Sequence, residues 1–318
     1  MLTHLIILLD DTSSSYCHYE VTKTARRLIS IDHLRAGILF AMKENLNIQF
    51  VYPDYELPIE YQEVIESIDH TKIKPVSQAK GADVIVLDGW TDEPPNAATC
   101  IIRCSRAELA VHLSDVKCLL EKEKRLNVVL TDVETFKDDD IDDYAKLLDE
   151  LTDDIADLNA KGKIVQLNML TDRMLLTEMN NCDAGVKNVT LAPNGRFYLC
   201  PAFYYENAEN DTGDLDFGLL VKNQQLLSLN HAPLCRQCDA YQCKRCIWQN
   251  YRLTLDSNTP SHQQCVMAHL ERNASRQLLV KLKQRGVTLR DSHEIKEIDY
   301  LDPFNKFNRW KQERLWGK

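Results

Sequence analysis

The chain has 318 residues, 44% of them apolar, and a formal net charge of −10, which is enough material for two domains with cores of their own. The charge is local: residues 131–160 hold 12 acids and two lysines, which leaves the rest of the chain near neutral. Such a balance offers no basic face for a nucleic acid, and no stretch reaches the roughly 18 apolar residues of a membrane helix, so neither partner is expected.

The N-terminal "HLIILLD" (4–10) is an apolar run closed by acids, which reads as a buried strand and not as a signal peptide. A cytoplasmic protein is expected. Helical spacing follows over 30–45, with Ser30 or Asp32 as N-cap, then a strand over 46–53 stopped by Pro53. A helix over 58–68 with Pro58 in its first turn precedes strands over 82–89 and 99–104. Residues 105–124 read as one amphipathic helix, 126–132 as a strand, the acidic 138–159 as a helix and 163–170 as a sixth strand. Strands separated by helices require parallel pairing. The expected fold class is α/β, with six parallel strands over residues 1–175.

The character changes after 175. "NVTLAPNGRFYLC" (188–200) is a β-hairpin signature with a Pro-Asn-Gly turn, 266–286 is a long helix, and 304–318 is an aromatic, basic tail of net +4. Seven of the 11 cysteines lie between 182 and 265: Cys182, Cys200, Cys235, Cys238, Cys243, Cys246 and Cys265. In a reducing compartment such density points to metal and not to disulfides. Seven thiolates exceed the four that one tetrahedral zinc takes, and they suit two iron–sulfur clusters. Zinc remains the competing reading. Cys104 and Cys118 read as core residues, with Cys100 and Cys17 likewise structural.

The spacing Cys182-x12-Gly195-x4-Cys200, then Cys235-x2-Cys238-x4-Cys243-x2-Cys246, then Cys265, resembles the SPASM domain. That pattern is Cys-x(9–15)-Gly-x4-Cys, Cys-x2-Cys-x5-Cys-x3-Cys and a final Cys, so this chain is one residue short in two spacers. The domain extends many radical SAM peptide-modifying enzymes and carries two auxiliary 4Fe–4S clusters. The resemblance implies a partial (β/α)6 barrel over 1–175 followed by a SPASM-like domain over 176–318. It implies Cys182, Cys200 and Cys246 on one cluster, and Cys235, Cys238, Cys243 and Cys265 on the other. The first set lacks one thiolate, for which His231, His262 and His269 are candidates. Radical SAM enzymes carry Cys-x3-Cys-x2-Cys after the first strand, whereas "TSSSYCHYEV" offers Cys17 alone. SAM is therefore not expected as a cofactor.

The wording of "LLDDTSSSYCHYE", "LAPNGRFYLCPAFYYEN" and "HAPLCRQCDAYQCKRCIWQN" resembles the CXXX repeat peptide maturase family. That implies a ribosomally made precursor peptide with cysteine repeats as partner, together with a radical SAM protein. Three functions follow: peptide presentation or electron relay by an iron–sulfur protein, peptide modification at an open cluster site without SAM, or a zinc-stabilised binding module. The aromatic residues Phe197, Tyr198, Phe203, Tyr204 and Tyr205 read either as a peptide groove or as core. The acidic helix reads as a solvated face or a dock for a basic leader.

Overall fold

The computed structural model describes residues 2–90, 99–122, 125–176, 182–221, 223–233, 235–238, 240, 246–289 and 292–295. In chain order the principal elements are β1 (His4–Leu8), α1 (Ile31–Lys43), β2 (Asn47–Val51), α2 (Ile59–Glu66), β3 (Thr71–Pro75), β4 (Val84–Asp88) and β5 (Thr99–Cys104). Then come α3 (Arg106–Val111), α4 (Leu113–Lys122), β6 (Arg125–Leu130), α5 (Asp138–Ala160), β7 (Gln166–Leu167) and α6 (Asn168–Leu175). The remainder holds β8 (Asn188–Leu191), β9 (Phe197–Tyr198), α7 (Pro201–Glu206), α8 (Ile247–Thr254) and α9 (His262–Gln284). Among the described residues no helix is long and apolar enough to cross a membrane.

By contact the chain falls into two compact units, one of Met1–Arg103 with Asp183–Ser228 and one of Cys104–Cys182 with Leu229–Lys318. The division at 175/176 follows motifs, and these units follow packing. The first unit carries parallel strands in the order β5-β4-β3-β2-β1-β8, with β9 antiparallel beyond β8. This is the parallel α/β architecture that the alternation of segments implies. β1 is apolar after His4 because parallel strands are covered on both faces: Leu5, Ile7 and Leu8 are wholly buried. Ser30 caps α1 by accepting from the His33 amide at 3.1 Å. α1 lies close on β8, since a Cβ at Gly37 would stand 2.4 Å from Leu191 Cδ2. The hairpin is present as β8–β9, pairing Thr190 with Tyr198 and Leu191 with Phe197. Gly195 closes its turn at φ +78°, where a side chain would also overlap His33.

Three expectations need correction. β3 is a strand that no sequence signal marked, because "TKIKP" buries only Ile73 between two lysines. The sixth strand over 163–170 shrinks to Gln166–Leu167 and turns into α6. Asn168 replaces the missing ladder: its side chain accepts from the Val128 amide at 3.0 Å and donates to the Val128 carbonyl at 2.9 Å. The single helix over 105–124 breaks at His112 into α3 and α4, and His112 bonds Asp115 through Nδ1 at 2.7 Å at the new start.

In the second unit α5 and α9, each 23 residues long, pack side by side. Part of the acidic face of α5 is paired with cations on or at the ends of neighbouring helices, while Asp138, Asp139, Asp142 and Glu150 stay exposed. Lys281 meets Asp149 at 2.8 Å and Asp153 at 3.0 Å, Arg285 meets Asp157 at 3.0 Å, Lys117 pairs with Asp154 and Arg106 with Asp140. The Lys281 hydrogen bond, followed by Arg285, holds the Asp153 carboxyl below the usual carboxylate range. Stability from this group is present above the ordinary aspartate value of about 4 and is lost as pH falls through the lower folded value. Chemical denaturation followed by helix circular dichroism is expected to show level stability from neutral pH to about 5 and a decline below 4. Lys281→Met should lower the plateau and flatten the decline.

Candidate metal centre and the loop after the first strand

Cys235 opens a short turn, Cys235–Gln237, which the Cys238 amide closes by donating to the Cys235 carbonyl at 3.1 Å. The Ala240 amide then donates to Cys238 Sγ at 3.3 Å. That backbone N–H is aimed at the sulfur from two residues further along the chain. His269, on α9 and 2% exposed, places Nε2 3.5 Å from Cys238 Sγ. Its Nδ1 lies 2.8 Å from the Cys265 carbonyl, so Nδ1 carries a proton and fixes the ring. Cys265 sits in the first turn of α9, with its amide donating to the Ser261 carbonyl at 3.1 Å. Cys246 is buried and caps α8.

The donor set is sulfur with one imidazole beside it, which suits iron or zinc and not a hard cation. Among the described residues, no group of three or more His, Cys, Asp or Glu side chains is drawn together. Cys235 and Cys238 share the turn, and Cys238 and Cys265 both meet His269. Cys243 lies outside the described residues, as does the basic tail 304–318. Cys200 belongs to the first unit, half-buried at the N-cap of α7, and Cys182 is exposed with left-handed backbone at φ 37°. His231 and His262 are exposed.

The other cysteines separate by environment. Cys100 is buried in β5, and burial pushes the Cys104 thiol up to about 12, far from a ready thiolate. Cys118, expected in the core, is exposed, because the buried stripe of α4 runs through Val116, Leu119 and Leu120.

The loop after β1 occupies the C-terminal edge of the parallel strands, where α/β folds place their sites. It is held by Arg103, only 2% exposed, whose strand register sets it opposite Asp88. Arg103 donates to the Cys17 carbonyl (2.8 Å), the Tyr19 carbonyl (2.9 Å), Glu20 (2.6 Å) and Asp88 (2.7 Å). Asp11, also buried, is paired with Arg27 Nε at 3.0 Å and accepts from the Tyr204 hydroxyl. Arg103 and Asp11 were not singled out by motif. Their signal is a charge inside an otherwise apolar strand, "TCIIRC", and a second acid closing "HLIILLDD". Phe197, Tyr198, Phe203, Tyr204 and Tyr205 are all buried, so the aromatic group is core and not an open groove.

No known family profile matches the chain, and no curated sequence does. Its fold is similar to the radical SAM/SPASM class. Solved structures similar to it include those of anSMEcpe. Polyhistidine-tagged anSMEcpe with bound AdoMet superposes with a TM-score of 0.58 at 13% identity, over 89% of this chain and 100% of that one. Native anSMEcpe with bound AdoMet and either a Cp18Cys or a Kp18Cys peptide gives 0.57 at 14% identity, over 88% and 99%. At such identity the likeness is one of fold.

Proposed function

We propose that this chain is an iron–sulfur protein that assists the maturation of a ribosomally made peptide carrying cysteine repeats. It presents that peptide, or relays electrons, to a radical SAM partner. The observation that carries the reading is the Cys235–Cys238 turn with an amide on one sulfur and a fixed imidazole against it. It occurs in a fold similar to that of a protein solved with peptides bound. The spacing resemblance assigns Cys235, Cys238, Cys243 and Cys265 to one 4Fe–4S cluster and Cys182, Cys200 and Cys246 to the other. Bound there, the clusters supply one-electron chemistry. The chain's own part is to supply thiolates, to keep Cys238 polarised by the Ala240 amide, and to hold the loop after β1 closed around Arg103. That closed loop with its lone Cys17 supports a barrel that works without SAM.

Anaerobically purified protein is expected to be brown with about 8 irons per chain, and Cys235→Ser to lose about half of them. Retention of a cysteine-repeat peptide on the immobilised protein, without SAM, should accompany the iron. A colourless protein containing zinc overturns the cluster reading and leaves a zinc-stabilised binding module. Full iron content in Cys235→Ser overturns the ligand assignment.

A further inference from the structure

We propose that the first unit carries one-electron oxidation along a chain of four tyrosines, with Tyr204 as the residue on which the oxidised state rests. The rings form an unbroken series. Tyr16 meets Tyr19 edge-on at 5.9 Å, Tyr19 stacks on Tyr205 at 5.4 Å and 13°, and Tyr205 meets Tyr204 at 5.3 Å. Tyr16 is half-buried and gives the series an outlet to solvent, whereas Tyr19, Tyr204 and Tyr205 are 2%, 0% and 5% exposed. The series joins the loop after β1 to α7, and the Thr22 hydroxyl ties the two by donating to the Tyr205 carbonyl at 2.7 Å.

Aromatic contacts of this kind are ordinary in a core. The hydroxyl partners go beyond packing. A phenol that loses an electron becomes a strong acid, so it needs a base for its proton. Tyr19 donates to the Ser14 carbonyl at 3.4 Å and Tyr205 to the Ser13 carbonyl at 3.3 Å, and a carbonyl does not take a proton. Tyr204 donates to the carboxylate of Asp11, itself 6% exposed and fixed by Arg27. Burial, foremost, and the Asp11 bond raise the Tyr204 hydroxyl above the usual phenol range, so the ring stays protonated until it is oxidised. Two cations oppose the oxidised ring: Lys23 Nζ lies 4.4 Å from its centroid and Arg27 Nη2 donates to its oxygen at 3.0 Å. They keep the tyrosine reduced until a strong one-electron oxidant arrives.

The step balances as follows. A one-electron oxidant, such as an organic radical or a photogenerated ruthenium(III) complex, gains one electron from Tyr204 through Tyr205, Tyr19 and Tyr16. The phenolic proton passes to Asp11, which becomes a carboxylic acid, and a neutral tyrosyl remains. The inference does not depend on the metal reading: the tyrosyl is read by electron paramagnetic resonance and the metal by iron content, so failure of one is distinguishable from failure of the other.

The experiment is a laser flash on the purified protein with a ruthenium(II) tris-bipyridine sensitiser and a cobalt(III) quencher, followed by electron paramagnetic resonance. A long-lived tyrosyl signal is expected, with slower formation in D2O. Tyr204→Phe and Asp11→Asn should each lower its yield at least about tenfold, on the scale by which a positioned base speeds proton transfer. Lys23→Met should raise it, and Tyr251→Phe, at an exposed ring, should leave it unchanged. Equal yields in wild type, Tyr204→Phe and Asp11→Asn overturn the proposal. Should Asp11→Asn fail to fold, absence of the D2O effect in wild type overturns it alone.

Discussion

Replacing Glu271 by alanine is expected to destabilise the second unit by about 3–5 kcal/mol, the usual cost of leaving a buried charge without its partner. Arg173 on α6 is 1% exposed, and its Nη2 lies 2.9 Å from Glu271 Oε2 on α9. The same carboxylate accepts from the buried Tyr144 hydroxyl on α5 at 2.9 Å. One acid thus serves three helices, and its loss strands a guanidinium and a phenol together. Among the described residues Arg173 keeps the Met169 carbonyl at 3.0 Å and a longer contact to the Ala268 carbonyl. Because α9 also carries Cys265 and His269, the variant should retain less iron. Glu271→Gln should cost less, since it still accepts one bond. The double variant Arg173→Met with Glu271→Leu should recover much of the loss, because a well-packed apolar pair removes the burial penalty of both charges. Urea denaturation of the four proteins checks this, and a Glu271→Ala midpoint within error of wild type would refute the network.

The second large effect belongs to Arg103. Its two acids, Glu20 and Asp88, are 68% and 74% exposed, so they return to water when the guanidinium is removed and contribute little. The cost falls on the Cys17 and Tyr19 carbonyls, which lose their charged donor inside the loop. Ser15 still reaches both, at 3.4 and 2.5 Å. Arg103→Leu is therefore expected to cost about 2–3 kcal/mol, within the range for buried acceptors left short of partners. Native-state hydrogen exchange should show the loss concentrated in residues 13–22. Arg103→Lys should fall between, because an ammonium keeps the charge without the fork that reaches four acceptors.

The alternation of apolar runs with amphipathic segments made β1, β2, β4, β5, β6 and the long helices legible, since each carries its own period. β3 was not, because a strand covered by neighbours needs only one buried residue when lysine stems lie along it. Nor was the end of β7: an Asn side chain that imitates the backbone ladder has no periodic signature. The pairing of β8 with β1 joins residues more than 180 positions apart and is invisible to any local window. For the site, cysteine spacing brought forward Cys235 and Cys238, which the structure sets on one turn. The imidazole at Cys238, the buried Arg103 and the tyrosine series depend on distant segments meeting, which spacing does not encode.

That same β1–β8 pairing bears on how the chain is made. β1 is made long before one of its two neighbours, residues 188–191. At about 5–20 residues per second, synthesis leaves that edge waiting roughly 10–40 s. Throughout that interval a largely apolar strand keeps one row of amides and carbonyls unmatched, the arrangement most prone to capture by another nascent chain. Early folding of the first unit must therefore be guarded or reversible, and truncation anywhere before residue 188 should yield aggregates and not a smaller folded protein.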